Sequence, residues 1–148
     1  MEQIQQFINF LQSCITPVAL VSGVGLLLLT LTNRLGRTID RTRSLVDELE
    51  KNPTKRRHQK EAEIRILYRR SKLLKNSIGS IVISIISSSL IIPVLFFMIF
   101  FSYQFKALGY LFFVVSIVFI LISSIYFFLD ILASLKALKI EAQEYLEK

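Results

Sequence analysis

Residues 17–34 read PVALVSGVGLLLLTLTNR, a stretch led by proline and free of charge until its last residue. Thr16-Pro17 has the form of a helix N-cap followed by proline at the first helical position, where the missing amide hydrogen costs nothing. The spacing predicts a helix from Pro17, with Asn33-Arg34 marking its exit from hydrocarbon. Two more charge-free runs follow, from Ser77 to Phe105 and from Ala107 to Leu129. Each exceeds the roughly 20 residues a helix needs to cross ~30 Å of lipid. With 53% hydrophobic and 20% charged residues and a mean hydropathy of +0.54, the 148-residue chain reads as one whose solvent is a bilayer.

Working outward, residues 1–16 place Ile4, Phe7, Ile8, Leu11 and Ile15 at helical spacing among glutamines. They read as an interfacial amphipathic segment or as an extension of the first span held in protein contacts. The run lacks a basic n-region and a small-residue cleavage site, so it is expected to stay as an anchor. A single cysteine, Cys14, supplies no internal disulfide and reads as a small apolar residue.

Between Arg34 and Lys75 the composition inverts, with fourteen Lys or Arg against six Asp or Glu. The net of +8 exceeds the +7 of the whole chain. Leu35, Ile39, Thr42, Val46 and Leu49 form a two-heptad seam, which Asn52-Pro53 breaks. Thr54 can cap a second arm, where Ile64, Leu67, Ser71, Leu74, Ile78 and Ile81 continue the heptad into the second span. Residues 34–76 thus predict a basic helical hairpin. Pro93 predicts a kink in the second span, residues 77–103. Aromatic residues around Gln104, Lys106 and Gly109 suit a membrane interface. The third span, residues 107–129, ends at Asp130, after which Ile131, Leu135, Leu138, Ala142 and Tyr145 form a last seam in residues 130–148.

Basic loops are retained in the cytoplasm, which orients the chain. The expected fold class is an all-α membrane protein of three transmembrane helices, N-terminus outside and C-terminus inside. Their inner halves extend as a cytoplasmic helical hairpin plus a C-terminal helix.

Two side-chain groups stand out. Ser77, Ser80, Ser84 and Ser87 recur at 3, 4 and 3 residues along the second span, broadened by Ser88 and Ser89. Such a stripe serves close helix packing, as does the Ala19/Gly23 pair, or it lines a polar pore if several copies turn it toward one axis. Arg34, Arg37 and Arg41 recur at helical spacing around Asp40. They read as a positive-inside anchor on anionic lipid head groups or, with Asp130, as an ordered charge cluster at the inner mouth. Asp130, the only acid adjoining a span, is expected to pair with Arg34 or Arg37.

No catalytic, cofactor-binding or metal-ligating set can be assembled. Gly23 and Gly25 lie inside an apolar span without the Lys-Ser/Thr of a phosphate loop. The single histidine, His58, sits among basic residues and reads as solvated. An enzyme is therefore not expected. Nucleic acid is a poor partner for a basic segment that is mixed with acids and lies beside a membrane. The composition leaves a membrane-anchored scaffold or regulatory subunit with a cytoplasmic protein or lipid partner, or a homo-oligomeric ion channel lined by the serine stripe.

The stretch from Thr16 to Asn33-Arg34-Leu35-Gly36-Arg37, followed by Asp40-Arg41-Thr42-Arg43, resembles the family of small bacterial integral membrane proteins catalogued as domain of unknown function 2721. Tyr68-Arg69-Arg70-Ser71-Lys72-Leu73-Leu74-Lys75-Asn76 is similar to that family's second recurrent patch. The resemblance covers most of the chain up to the third span. It implies three spans and a place in the bacterial inner membrane, and brings no activity or catalytic residue with it.

Overall fold

The computed structural model describes the backbone of residues 2–51, 57–101 and 106–146, and the side chains of residues 4–51, 57–98 and 106–135. The backbone forms three α-helices: α1 (Glu2–Lys51), α2 (Arg57–Phe101) and α3 (Lys106–Leu146). All three contain stretches long and apolar enough to cross a membrane, the architecture of a multi-pass membrane protein. In hydrocarbon every amide must find its acceptor within the chain, and a helix meets that demand segment by segment.

The chain divides into two compact units, each drawing on all three helices. The first comprises Met1–Leu29 and Gly79–Ser123, the second Thr30–Ile78 and Ser124–Lys148. In the first unit polarity is turned inward. Ser80, Ser84, Ser87, Ser88, Ser116 and Ser123 are buried, while Leu26, Leu29, Val114 and Leu121 are exposed. A water-soluble core would show the reverse. Serines in the contact let helices approach closely, and apolar side chains are left to face lipid.

The second unit buries Leu31, Thr38 and Leu45 of α1 at strict seven-residue intervals, with Leu67, Leu74 and Ser77 of α2 and Asp130 of α3. This corrects the expected first-arm seam. Leu35, Thr42 and Leu49 are half-buried as a seam requires, but Ile39 and Val46 are 36% and 39% exposed. Their inward places go to Thr38 and Leu45, 4% and 2% exposed. Two heptad readings share Leu35, Thr42 and Leu49, and one-residue shifts at the remaining positions turn the helix by about 100°. Thr38 can take an inward place because its Oγ1 donates to the Arg34 carbonyl at 2.9 Å, leaving no orphaned hydroxyl. On α2 the expected seam positions Ile64, Leu67, Ser71, Leu74, Ile78 and Ile81 are all buried or half-buried.

A second correction concerns the start of the first span. Thr16 is not an N-cap, since α1 runs unbroken through a buried Pro17. An internal proline removes one helix bond, at a cost of roughly 3 kcal/mol. Helical turns on both sides carry α1 past it. Ile4, Phe7, Ile8, Leu11 and Ile15 are exposed, whereas the half-buried Phe10 meets Phe96 of α2 edge to face, with ring centroids 6.1 Å apart. Pro93 likewise lies within α2. The Asn52-Pro53 break, the Thr54 cap and Gln104 fall outside the described residues, as do the side chains of the last seam beyond Leu135.

Candidate functional site

In the second unit the first polar residue after the apolar run of α3 is fully buried. Asp130 stands at the end of a seven-residue series, Ser116, Ser123 and Asp130, that forms the buried line of α3 among Phe, Ile and Val. Two guanidinium groups hold it. Arg34 of α1 donates from Nη2 to Oδ2 at 2.9 Å, and Arg70 of α2 donates from Nε to Oδ1 at 3.1 Å. Each carboxylate oxygen therefore has its own charged donor, the arrangement that makes a buried carboxylate tolerable. Arg34 also lies over the Phe127 ring, 5.0 Å from its centroid, a favourable place for a cation.

Of the two arginines expected to face Asp130, the structure places Arg34 there and leaves Arg37 exposed without an ion pair among the described residues. Asp40 is exposed and joins no ion pair among them either. Arg41 pairs instead with Glu63 of α2, donating from Nε at 3.2 Å and Nη2 at 3.0 Å to one oxygen. Arg70 is the partner that sequence reasoning missed. It lies in the Tyr68–Asn76 patch, one of three basic residues in five, and nothing in its spacing singles it out from Arg69 or Lys72.

Arg34, Arg37, Arg41 and Arg70 line one cleft of about 370 Å³, with Thr38 and Leu67 between them. Four guanidinium charges face the carboxylates of Asp130 and Glu63, leaving two positive charges uncompensated within this group. Arg37 and Arg41 are exposed, whereas Arg34 and Arg70 are locked by Asp130. The cleft thus has a buried-carboxylate half, Arg34 and Arg70, and an exposed half, Arg37 and the Glu63-paired Arg41, built of planar guanidinium forks suited to phosphate or carboxylate oxygens. Nearer the α1 C-terminus, Lys60 donates to Glu48 at 3.0 Å. That hydrogen bond, then the Lys60 charge, holds the exposed Glu48 carboxyl below its ordinary range. His58 is exposed at the start of α2.

The serine stripe is buried within the chain: Ser77, Ser80, Ser84 and Ser87 are between 0% and 7% exposed. In the first unit Ser84 and Ser116 lie Oγ to Oγ at 2.9 Å, and Ser116 Oγ donates to the Ser84 carbonyl at 3.2 Å. The matching serines on α3 were not singled out by the sequence reading, although their seven-residue spacing was there to be found.

No curated protein matches the chain, and no solved structure does. A family model described as protein of unknown function (DUF2721) matches residues 14–140, which takes in Arg34, Arg70, Asp130 and the whole serine line. The chain, with its three apolar helices and its arginine cleft closed on a buried aspartate, belongs to the DUF2721 family.

Proposed function

We propose that this protein is a membrane-anchored scaffold or regulatory subunit that acts through its basic helices and is non-catalytic. Its point of recognition is the cleft of Arg34, Arg37, Arg41 and Arg70. The observation that carries the reading is the pair of guanidinium groups fixed by buried Asp130 beside two exposed ones, with net positive charge. In this reading the cleft lies at the cytoplasmic face of a bacterial inner membrane and takes the phosphate of an anionic lipid head group. Each basic residue near such a surface contributes about 1 kcal/mol, and a bidentate arginine contact adds orientation. A protein partner then docks on the helices so positioned. Burial of the serine stripe inside the chain supports its packing role over a channel lining.

The test compares thermal unfolding of the purified protein in nanodiscs of phosphatidylcholine with nanodiscs containing phosphatidylglycerol. The anionic lipid is expected to raise the Tm, less so at high salt. Arg37→Gln with Arg41→Gln is expected to remove most of that increment, because both side chains lie outside the Asp130 lock. An increment unchanged in the double variant would reject the cleft as the recognition point.

A further inference from the structure

The arginine cleft is rich in unspent donors. Arg34 and Arg70 each give a single N–H to Asp130, from Nη2 at 2.9 Å and from Nε at 3.1 Å. Arg41 gives Nε and Nη2 to one oxygen of Glu63, and Arg37 gives none among the described residues. A guanidinium carries more N–H groups than these bonds use, so donors from both α1 and α2 remain for a ligand.

Acceptors are scarce in the same lining. Arginine and leucine side chains have none, and Thr38 is 4% exposed with its Oγ1 turned onto the Arg34 carbonyl at 2.9 Å. The carboxylates of Asp130 and Glu63 are already engaged by the arginines themselves. A group that keeps an acidic O–H therefore finds nothing in the lining to take its proton, whereas a group made only of acceptors finds donors on two helices. Charge sets a second condition. Four guanidinium groups against two carboxylates leave two positive charges, and a phosphodiester or a carboxylate neutralises only one of them.

A phosphomonoester that has lost its second proton meets both conditions. It has no P–OH, its charge approaches −2, and its three terminal oxygens suit guanidinium forks. The cleft, at about 370 Å³, is near the lower end of small-molecule sites, roughly 300 to 1,000 Å³, and suits a phosphate with a short ester arm. Resting on the reading of this cleft as a phosphate site, we propose that its ligand is a dianionic phosphomonoester, of which phosphatidate is the membrane-borne form, selected over the phosphodiester of other anionic lipids. The charged groups at the site are Arg34, Arg37 and Arg41 of α1, Arg70 and Glu63 of α2 and Asp130 of α3. The arginines stay charged, so the selectivity follows the second ionisation of the phosphate, near pH 6.

The probe is phosphatidate with a fluorescent tail, bound to the full chain in dodecylmaltoside and read by anisotropy. At about pH 7.5 unlabelled phosphatidate should displace it about tenfold more effectively than phosphatidylglycerol of the same acyl chains, the worth of one further charge-assisted hydrogen bond. That ratio should shrink severalfold at about pH 5.5, where the monoester regains its proton and the diester is unchanged. Taking the ratio of the two lipids at each pH cancels whatever titrates in the protein. Arg37→Gln, which breaks no ion pair among the described residues, should abolish the preference. Arg43→Gln removes the same charge from an exposed position outside the cleft and should preserve it. Glycerol 3-phosphate separates the sources of the monoester: displacement matching that of phosphatidate assigns a soluble ligand, and displacement by phosphatidate alone assigns the lipid. Equal displacement by the two lipids, both weakened by Arg37→Gln, would overturn the monoester and leave the anionic-lipid reading standing. A preference indifferent to pH, or Arg43→Gln acting as strongly as Arg37→Gln, would also overturn it. Probe binding indifferent to both Arg37→Gln and Arg41→Gln would sink the proposal and the reading of the cleft together.

Discussion

Asp130 is fully buried and accepts from two guanidinium groups, so its charge rests on Arg34 and Arg70 rather than on water. Removing one side of a buried ion pair leaves the other uncompensated, which costs roughly 3 to 5 kcal/mol. Asp130→Asn is therefore expected to lower stability by that order in detergent-solubilised protein. Arg34→Gln and Arg70→Gln should each lose much less in the Asp130→Asn background than in the native one, because a double-mutant cycle isolates the coupling. Arg37→Gln, with no ion pair to Asp130, should add independently. Simple additivity for both Arg34 and Arg70 would show that the triad contributes no coupling.

At the scale of the element, the register of α1 in the second unit has a direct test. Leu45 is 2% exposed and Val46 is 39% exposed, although both belong to plausible heptads. Leu45→Ala should cost about 2 to 5 kcal/mol, as truncation of a packed leucine does. Val46→Ala should stay within about 1 kcal/mol. Chemical or thermal unfolding of the two variants side by side decides the register, and equal losses would contradict the inward placing of Leu45. The same helix shows how local signals mislead. Thr16-Pro17 has the residues of a helix start, yet α1 passes through it because helical turns on both sides outweigh the one bond that proline removes.

For the whole molecule, the distribution of charge makes a prediction about sidedness. Fourteen of the eighteen Lys and Arg lie between Arg34 and Lys75. A compartment-sensitive reporter inserted near Pro53 or fused after Lys148 is expected to read as cytoplasmic, and one inserted after Lys106 as external. A cytoplasmic signal from the Lys106 insertion would reject the N-out, C-in arrangement.

Three helices and their apolar character were legible in the chain itself, because run length and the absence of charge are one-dimensional properties that hydrocarbon thickness converts directly into spans. The basic segment, the serine stripe and the singular position of Asp130 were legible for the same reason. What each of these faces was not. A helix turned by one residue rotates its side chains about 100°, so two overlapping heptads in α1 could be separated only by the neighbours that bury Thr38 and Leu45. Arg70 is 60 residues from Asp130, and its neighbours carry the same charge, so only the packing of α2 beside α3 selects it. Ser84 meets Ser116 across 32 residues, so only the packing of α2 beside α3 pairs them. The sequence by itself determined which segments are helices and which are charged. The tertiary structure alone decided which side of each helix is inside, because that choice is made by the partners available to every polar group once the helices meet.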